Sequence, residues 1–103
     1  MPSTADGLIC LVVDVPGETR EQFEAVMAHV AASGPVPPTE ARLLVSGERA
    51  GGWQTVSVWE SKEAIDRFFE DRLGPAYRAA GVIVDESRRE SFTVHTILGV
   101  AGS

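Results

Sequence analysis

Apolar residues run without interruption from Leu8 to Val13 and stop at Asp14-Val15-Pro16-Gly17. A short, branched apolar run closed by turn chemistry predicts a central strand covered on both faces. The period then changes. Phe23, Val26, Met27 and Val30 recur at i, i+3, i+4 and i+7 and predict one apolar helix face, with His29 beside the stripe. Thr19 or Glu18 stands near the start of this helix, acids fill its first turn, and Gly34 lies past its end. "GPVPP" (34–38) makes a stiff connection, since its three prolines cannot continue a helix.

"ARLLVSG" (41–47) and "WQTVSVW" (53–59) predict two strands joined as a hairpin through "GERAGG". Ser61 is placed to cap a second helix, "SKEAIDRFFEDRL", with Ile65, Phe68, Phe69 and Leu73 on its inner face. Gly74-Pro75 is expected to break or kink it, and "AYRAAG" reads as one more turn ended by Gly81. "VIVD" suits a short extended piece, and "SFTVHTILGV" (91–100) is expected to be the final strand.

The order β-α-β-β-α-β predicts an α+β, ferredoxin-like domain over residues 1–103: a four-stranded antiparallel sheet with two helices on one face. That arrangement leaves the other face bare. Yet Leu8, Cys10 and Val12 are as apolar as Ile9, Leu11 and Val13, so both faces of the first strand expect cover. A second copy of the chain, packed sheet to sheet, supplies it most simply.

Composition narrows the partners. With 44% hydrophobic and 23% charged residues the chain is ordinarily globular. The net charge is −6, Lys62 is the one lysine and the arginines are scattered, so neither nucleic acid nor an anionic membrane surface is an expected partner. Cys10 is alone and sits in an apolar run, which reads as a buried thiol in a reducing compartment. "MPSTADG" has no basic leader and residues 8–13 are too few to span a bilayer, so the cytoplasm is the expected location.

The stretch "VSVWESKEAIDRFFEDRLGPAYRAAG", followed by "VHTILG", resembles the dimeric α/β-barrel superfamily, in particular small proteins related to the antibiotic biosynthesis monooxygenases. The match lies in a strand ending Trp59-Glu60-Ser61, an amphipathic helix with paired aromatics, a Gly-Pro break and a strand carrying His. The resemblance implies two ferredoxin-like subunits pairing sheet to sheet into an α/β barrel, each with a cavity between sheet and helices. Relatives of this kind include cofactor-free oxygenases of aromatic polyketides and quinols, polyketide cyclases, lactone isomerases and haem-degrading enzymes. Haem is not expected here: those relatives carry an axial His on the second helix, and residues 61–81 contain no His.

Strand alternation places Trp53, Thr55, Ser57 and Trp59 on one face, an aromatic frame around two hydroxyls that suits a small-molecule pocket. Trp59 at the strand-to-helix junction is either a pocket wall or a core cap; for Trp53, a packing role half in solvent at the hairpin end suffices. His95, mid-strand by this reading, has the pKa range for general acid–base work, or is a core or interface histidine. Tyr77 follows the Gly-Pro break, where a phenol can reach a ligand oxygen. Arg72 and Arg78 flank it as candidate partners for an anionic group, and Phe23, Phe68 and Phe69 are core residues that can double as pocket walls.

No glycine-rich nucleotide loop, nucleophile elbow or metal-spaced ligand set occurs. Two functions follow. One is an enzyme working without metal, flavin or nicotinamide on a small aromatic or polyketide-like molecule, as an oxygenase, cyclase or isomerase in natural-product biosynthesis. In it His95 is the base, Trp59 and Ser57 position substrate, and Tyr77 or an arginine holds a developing oxyanion. The other is a non-catalytic dimeric binding or structural protein of the same fold.

Overall fold

The computed structural model describes residues 7–85 and 88–98. Its elements are β1 (Ile9–Pro16), α1 (Arg20–Ser33), β2 (Ala41–Arg49), β3 (Gly52–Trp59), α2 (Lys62–Phe68), a π turn (Phe69–Leu73), α3 (Gly74–Ala80) and β4 (Arg89–Thr93). The four strands form one antiparallel sheet in the order β2-β3-β1-β4. This is the expected α+β ferredoxin-like fold, with β1 and β3 central and the helices on one face.

Alternation along β1 divides the sheet into two apolar faces. Leu11, Val13 and Val15 turn to the helices and share a core with Val26, Val30, Trp59, Ile65, Phe68 and Ala76. On the opposite face Leu8, Cys10, Val58 and Val94 form a second cluster, with Val12 and Val56 packed against it. Leu43, Val45 and Phe92 share that outer face by register and stay substantially exposed.

The helices start where side chains satisfy their free N–H groups. Thr19 caps α1 and forms a capping box with Gln22, and Ser61 accepts from the Ala64 N–H at the head of α2. α1 turns Val26 and Val30 fully inward and leaves His29 exposed.

Three boundaries differ from expectation. β1 continues past Val13 to Pro16, because β3 begins at Gly52 and pairs with it. A Cβ at Gly52 would stand 2.7 Å from the Val15 carbonyl oxygen, so only glycine admits this approach. The second helix does not break at Gly74-Pro75. Pro75 brings no N–H to the ladder, and the preceding turn widens to π form, with the Gly74 N–H donating to Phe69 O, so the chain stays helical into α3. The final strand is shorter, Arg89–Thr93, because its partner β1 begins at Ile9 and gives little to pair with beyond that point. One further bond, from the Val94 N–H to Leu8 O, closes the ladder; residues 94–98 follow outside the strand, and 99–100 lie outside the described residues. "VIVD" forms no strand.

Candidate small-molecule cavity

Between the helix-facing side of the sheet and the helices lies a cavity of about 40 Å³. Leu11 and Val13 of β1 form part of its floor with Thr55, Ser57 and Trp59 of β3 and Leu44 of β2. Phe23, Val26, Met27 and Val30 of α1 make one wall; Phe68, Phe69, Leu73 and Tyr77 from the second helical segment make the other. Val36 and Pro38 of the connection after α1 close the rim, with Val36 partly open to solvent. The lining is almost wholly apolar, as ligand sites generally are. Its volume suits a few water molecules; a benzene-sized void is about 150 Å³.

Hydrogen-bonding groups are few and placed. Trp59 Nε1 donates to Ser57 Oγ at 2.8 Å, and both residues are buried. Because Ser57 accepts from the indole, its own O–H stays available as a donor. Trp59 also packs against Phe68 with ring centroids 5.1 Å apart. Burial, with the nearby Glu18 carboxylate as a second cause, raises the Tyr77 phenol well above its ordinary range, so Tyr77 presents a neutral O–H.

The structure brings together six of the residues singled out in the sequence: Trp59, Ser57, Phe23, Phe68, Phe69 and Tyr77 all line this cavity. Two others stand elsewhere. His95 lies beyond the end of β4, exposed, with its Nδ1 against the Thr96 hydroxyl; the mid-strand position assumed for it fails because the strand stops at Thr93. Arg72 caps the end of α1 instead of facing the cavity. Its Nη2 donates to the carbonyls of Val30 and Pro35 at 2.8 Å each and its Nε to Ser33 Oγ at 3.0 Å. A guanidinium held by three acceptors and lying 5.5 Å from the Phe68 ring centroid has a structural task.

Two residues were undervalued by the sequence. Trp53, expected half in solvent, is buried and stacks on Phe23 at 4.9 Å. Glu18, expected with Thr19 only as a residue near the helix start, sits just before the cap and is 6% exposed. Burial pushes its carboxyl up to about 7. Both end in orphaned groups: Glu18 Oε2 and Trp53 Nε1 are buried with no hydrogen-bond partner among the described residues. The spacing held a signal. Glu18 and Phe23 occupy the N′ and N4 positions around the Thr19 cap, a pair that ordinarily packs together as two apolar residues.

No protein-family model matches the chain, and no curated protein matches it by sequence. Solved structures do. A candidate antibiotic biosynthesis monooxygenase from Caulobacter crescentus superposes with a TM-score of 0.62 at 16% identity, over 86% of this chain and 91% of that one. The chain has the fold of the antibiotic biosynthesis monooxygenase-like proteins. A second such candidate, from Chloroflexus aurantiacus, gives a TM-score of 0.62 at 16% identity, over 91% and 99% of the two chains. SnoaB, a cofactor-independent oxygenase from Streptomyces nogalater, gives 0.58 at 15% identity, over 88% and 95%. At these identities the likeness concerns the fold. Among the described residues no helix is long and apolar enough to cross a membrane, and no three His, Cys, Asp or Glu side chains converge as a metal site would require.

Proposed function

We propose that this chain is one subunit of a homodimer that binds a small aromatic molecule in the cavity between sheet and helices. The observation that carries the reading is the cavity itself. Apolar and aromatic walls enclose a short polar edge formed by Ser57, Thr55 and the Tyr77 phenol, with Trp59 held in place by its bond to Ser57. Such a lining favours a flat, largely apolar molecule with one or two oxygens.

A catalytic form of this reading draws support from the fold shared with SnoaB, a cofactor-independent oxygenase. In that form an electron-rich phenol or quinol is the reductant and dioxygen the oxidant. Trp59 and Ser57 orient the ring, and the neutral Tyr77 phenol donates a hydrogen bond to oxygen charge developing on the substrate. Natural-product aromatics and polyketide-like phenols are the substrate class, with cyclase and isomerase chemistry open to the same site.

Thermal unfolding with a panel of phenols and quinols tests the reading. A ligand present at a hundred times its Kd stabilises the fold by about 2.7 kcal/mol, a shift of several degrees in Tm for a domain of this size. At least one member of the panel is expected to give such a shift. A Tm unmoved by the whole panel at millimolar concentration contradicts the proposal.

A further inference from the structure

The corner of the molecule that holds Glu18 and Trp53 is unusual in its hydrogen bonding. Buried polar groups in folded proteins are almost always paired, and each orphan costs stability unless something unrecorded satisfies it. Here two orphans of complementary kind occupy one corner. Glu18 Oε2 accepts, and Trp53 Nε1–H can only donate.

The backbone brings them together. Val15 pairs with Trp53 across β1 and β3, and the Glu18 N–H donates to the Val15 carbonyl at 3.2 Å. Trp53 stacks on Phe23, which holds the N4 position of the helix whose N′ position is Glu18. The phenol of Tyr77, raised first by burial, also feels the Glu18 charge. Phe23 and Tyr77 are also cavity walls, whereas Glu18 and Trp53 are buried and not among its lining residues.

We propose that Glu18 and Trp53 form a hydroxyl-recognition site at this end of the cavity, selecting aromatic ligands that carry a phenolic or alcoholic O–H directed between Phe23 and Tyr77. A hydroxyl meets both needs, as a water does, donating to Glu18 Oε2 while accepting from Trp53 Nε1–H. A methyl in the same place meets neither, and leaves both groups buried and unpaired. The inference rests on the cavity reading above and adds to it a polar anchor and the ligand group it recognises.

Phenol and toluene, nearly equal in size, separate the anchor from the cavity. Binding of each is measured calorimetrically to the wild-type protein, to Glu18→Met and to Trp53→Phe. Met keeps the length of the side chain and Phe keeps the stack on Phe23, so both variants are chosen to fold, which circular dichroism checks. The expected result is a loss of about tenfold or more in phenol affinity in each variant, the size of a hydrogen bond made by a charged or buried group, with toluene affinity unchanged or improved. If phenol and toluene change together, or neither changes, the anchor is wrong and the cavity reading survives. If neither compound binds the wild-type protein, both readings fall. A water that bridges the two orphans permanently gives the middle outcome and equally overturns the anchor.

Discussion

Glu18 is the residue whose environment departs furthest from what its type prefers. Its Oε2 is buried without a partner among the described residues, and burial raises the carboxyl from an ordinary 4.5 to about 7. A raised carboxyl means that the folded state binds this proton more tightly than the unfolded chain does. Stability from Glu18 is therefore complete below about pH 4.5, falls as pH rises to about 7, and levels off above that. The loss amounts to at most about 3 kcal/mol over that interval. Glu40, whose carboxyl is lowered chiefly by a backbone hydrogen bond, acts in the opposite sense and only below the ordinary carboxyl range. Urea unfolding at pH 5 and pH 8 is expected to show the wild type weaker at pH 8, with Glu18→Gln removing most of the difference. Equal pH dependence in the two proteins contradicts the burial argument. Little of this was legible beforehand. An acid at a helix start ordinarily faces water and the positive helix end, and only the N′-to-N4 spacing with Phe23 hints otherwise. Trp59 was legible because strand parity fixes its face and the following Ser61 cap fixes where the strand must end. Trp53 shared that parity, but its burial depends on Phe23 arriving from a helix thirty residues earlier.

At the scale of elements, the periods of two and 3.6 predicted nearly every strand and helix, because each has one face committed to the core. What they could not give were endings set by a partner's length. β4 stops where β1 begins, so His95 lies beyond the strand rather than inside the sheet. The second helical segment is similar: Gly74-Pro75 reads as a break by propensity, yet a π turn absorbs the missing N–H and carries the chain onward to place Tyr77 at the cavity. Arg72 leaves that same turn and ties it to the end of α1. Its guanidinium lies so close to Gly34 that a Cβ there would be 3.1 Å from Arg72 Cζ. Arg72→Ala is expected to cost about 1–2 kcal/mol by freeing the Val30 and Pro35 carbonyls. Arg72→Lys restores little, since an ammonium cannot reproduce the planar fork. Full rescue by lysine in chemical denaturation argues against the capping role.

The whole molecule carries two apolar faces on one sheet, and the helices cover only one. On the other, Leu43, Val45 and Phe92 are 39%, 56% and 58% exposed around the Cys10–Val58 cluster. The sheet becomes polar towards the hairpin end, where Asp14 faces Arg49 at 3.8 Å. The proposed homodimer, with a second copy packed on the apolar half, would cover this pattern. Sedimentation at micromolar concentration is expected to give twice the 11.0 kDa of one chain, and Val45→Glu with Phe92→Glu to give the monomer. A wild type that sediments as a monomer contradicts the dimer.

Where a bound ring sits decides whether the cavity between sheet and helices is a binding site. Titrating p-cresol into isotopically labelled protein and following the backbone amides by NMR reports which residues sense it. Saturable shifts centred on Leu11, Val30, Ser57, Trp59 and Tyr77 are the predicted result. Shifts confined to the outer face around Val45 and Phe92, or none that saturate, contradict it.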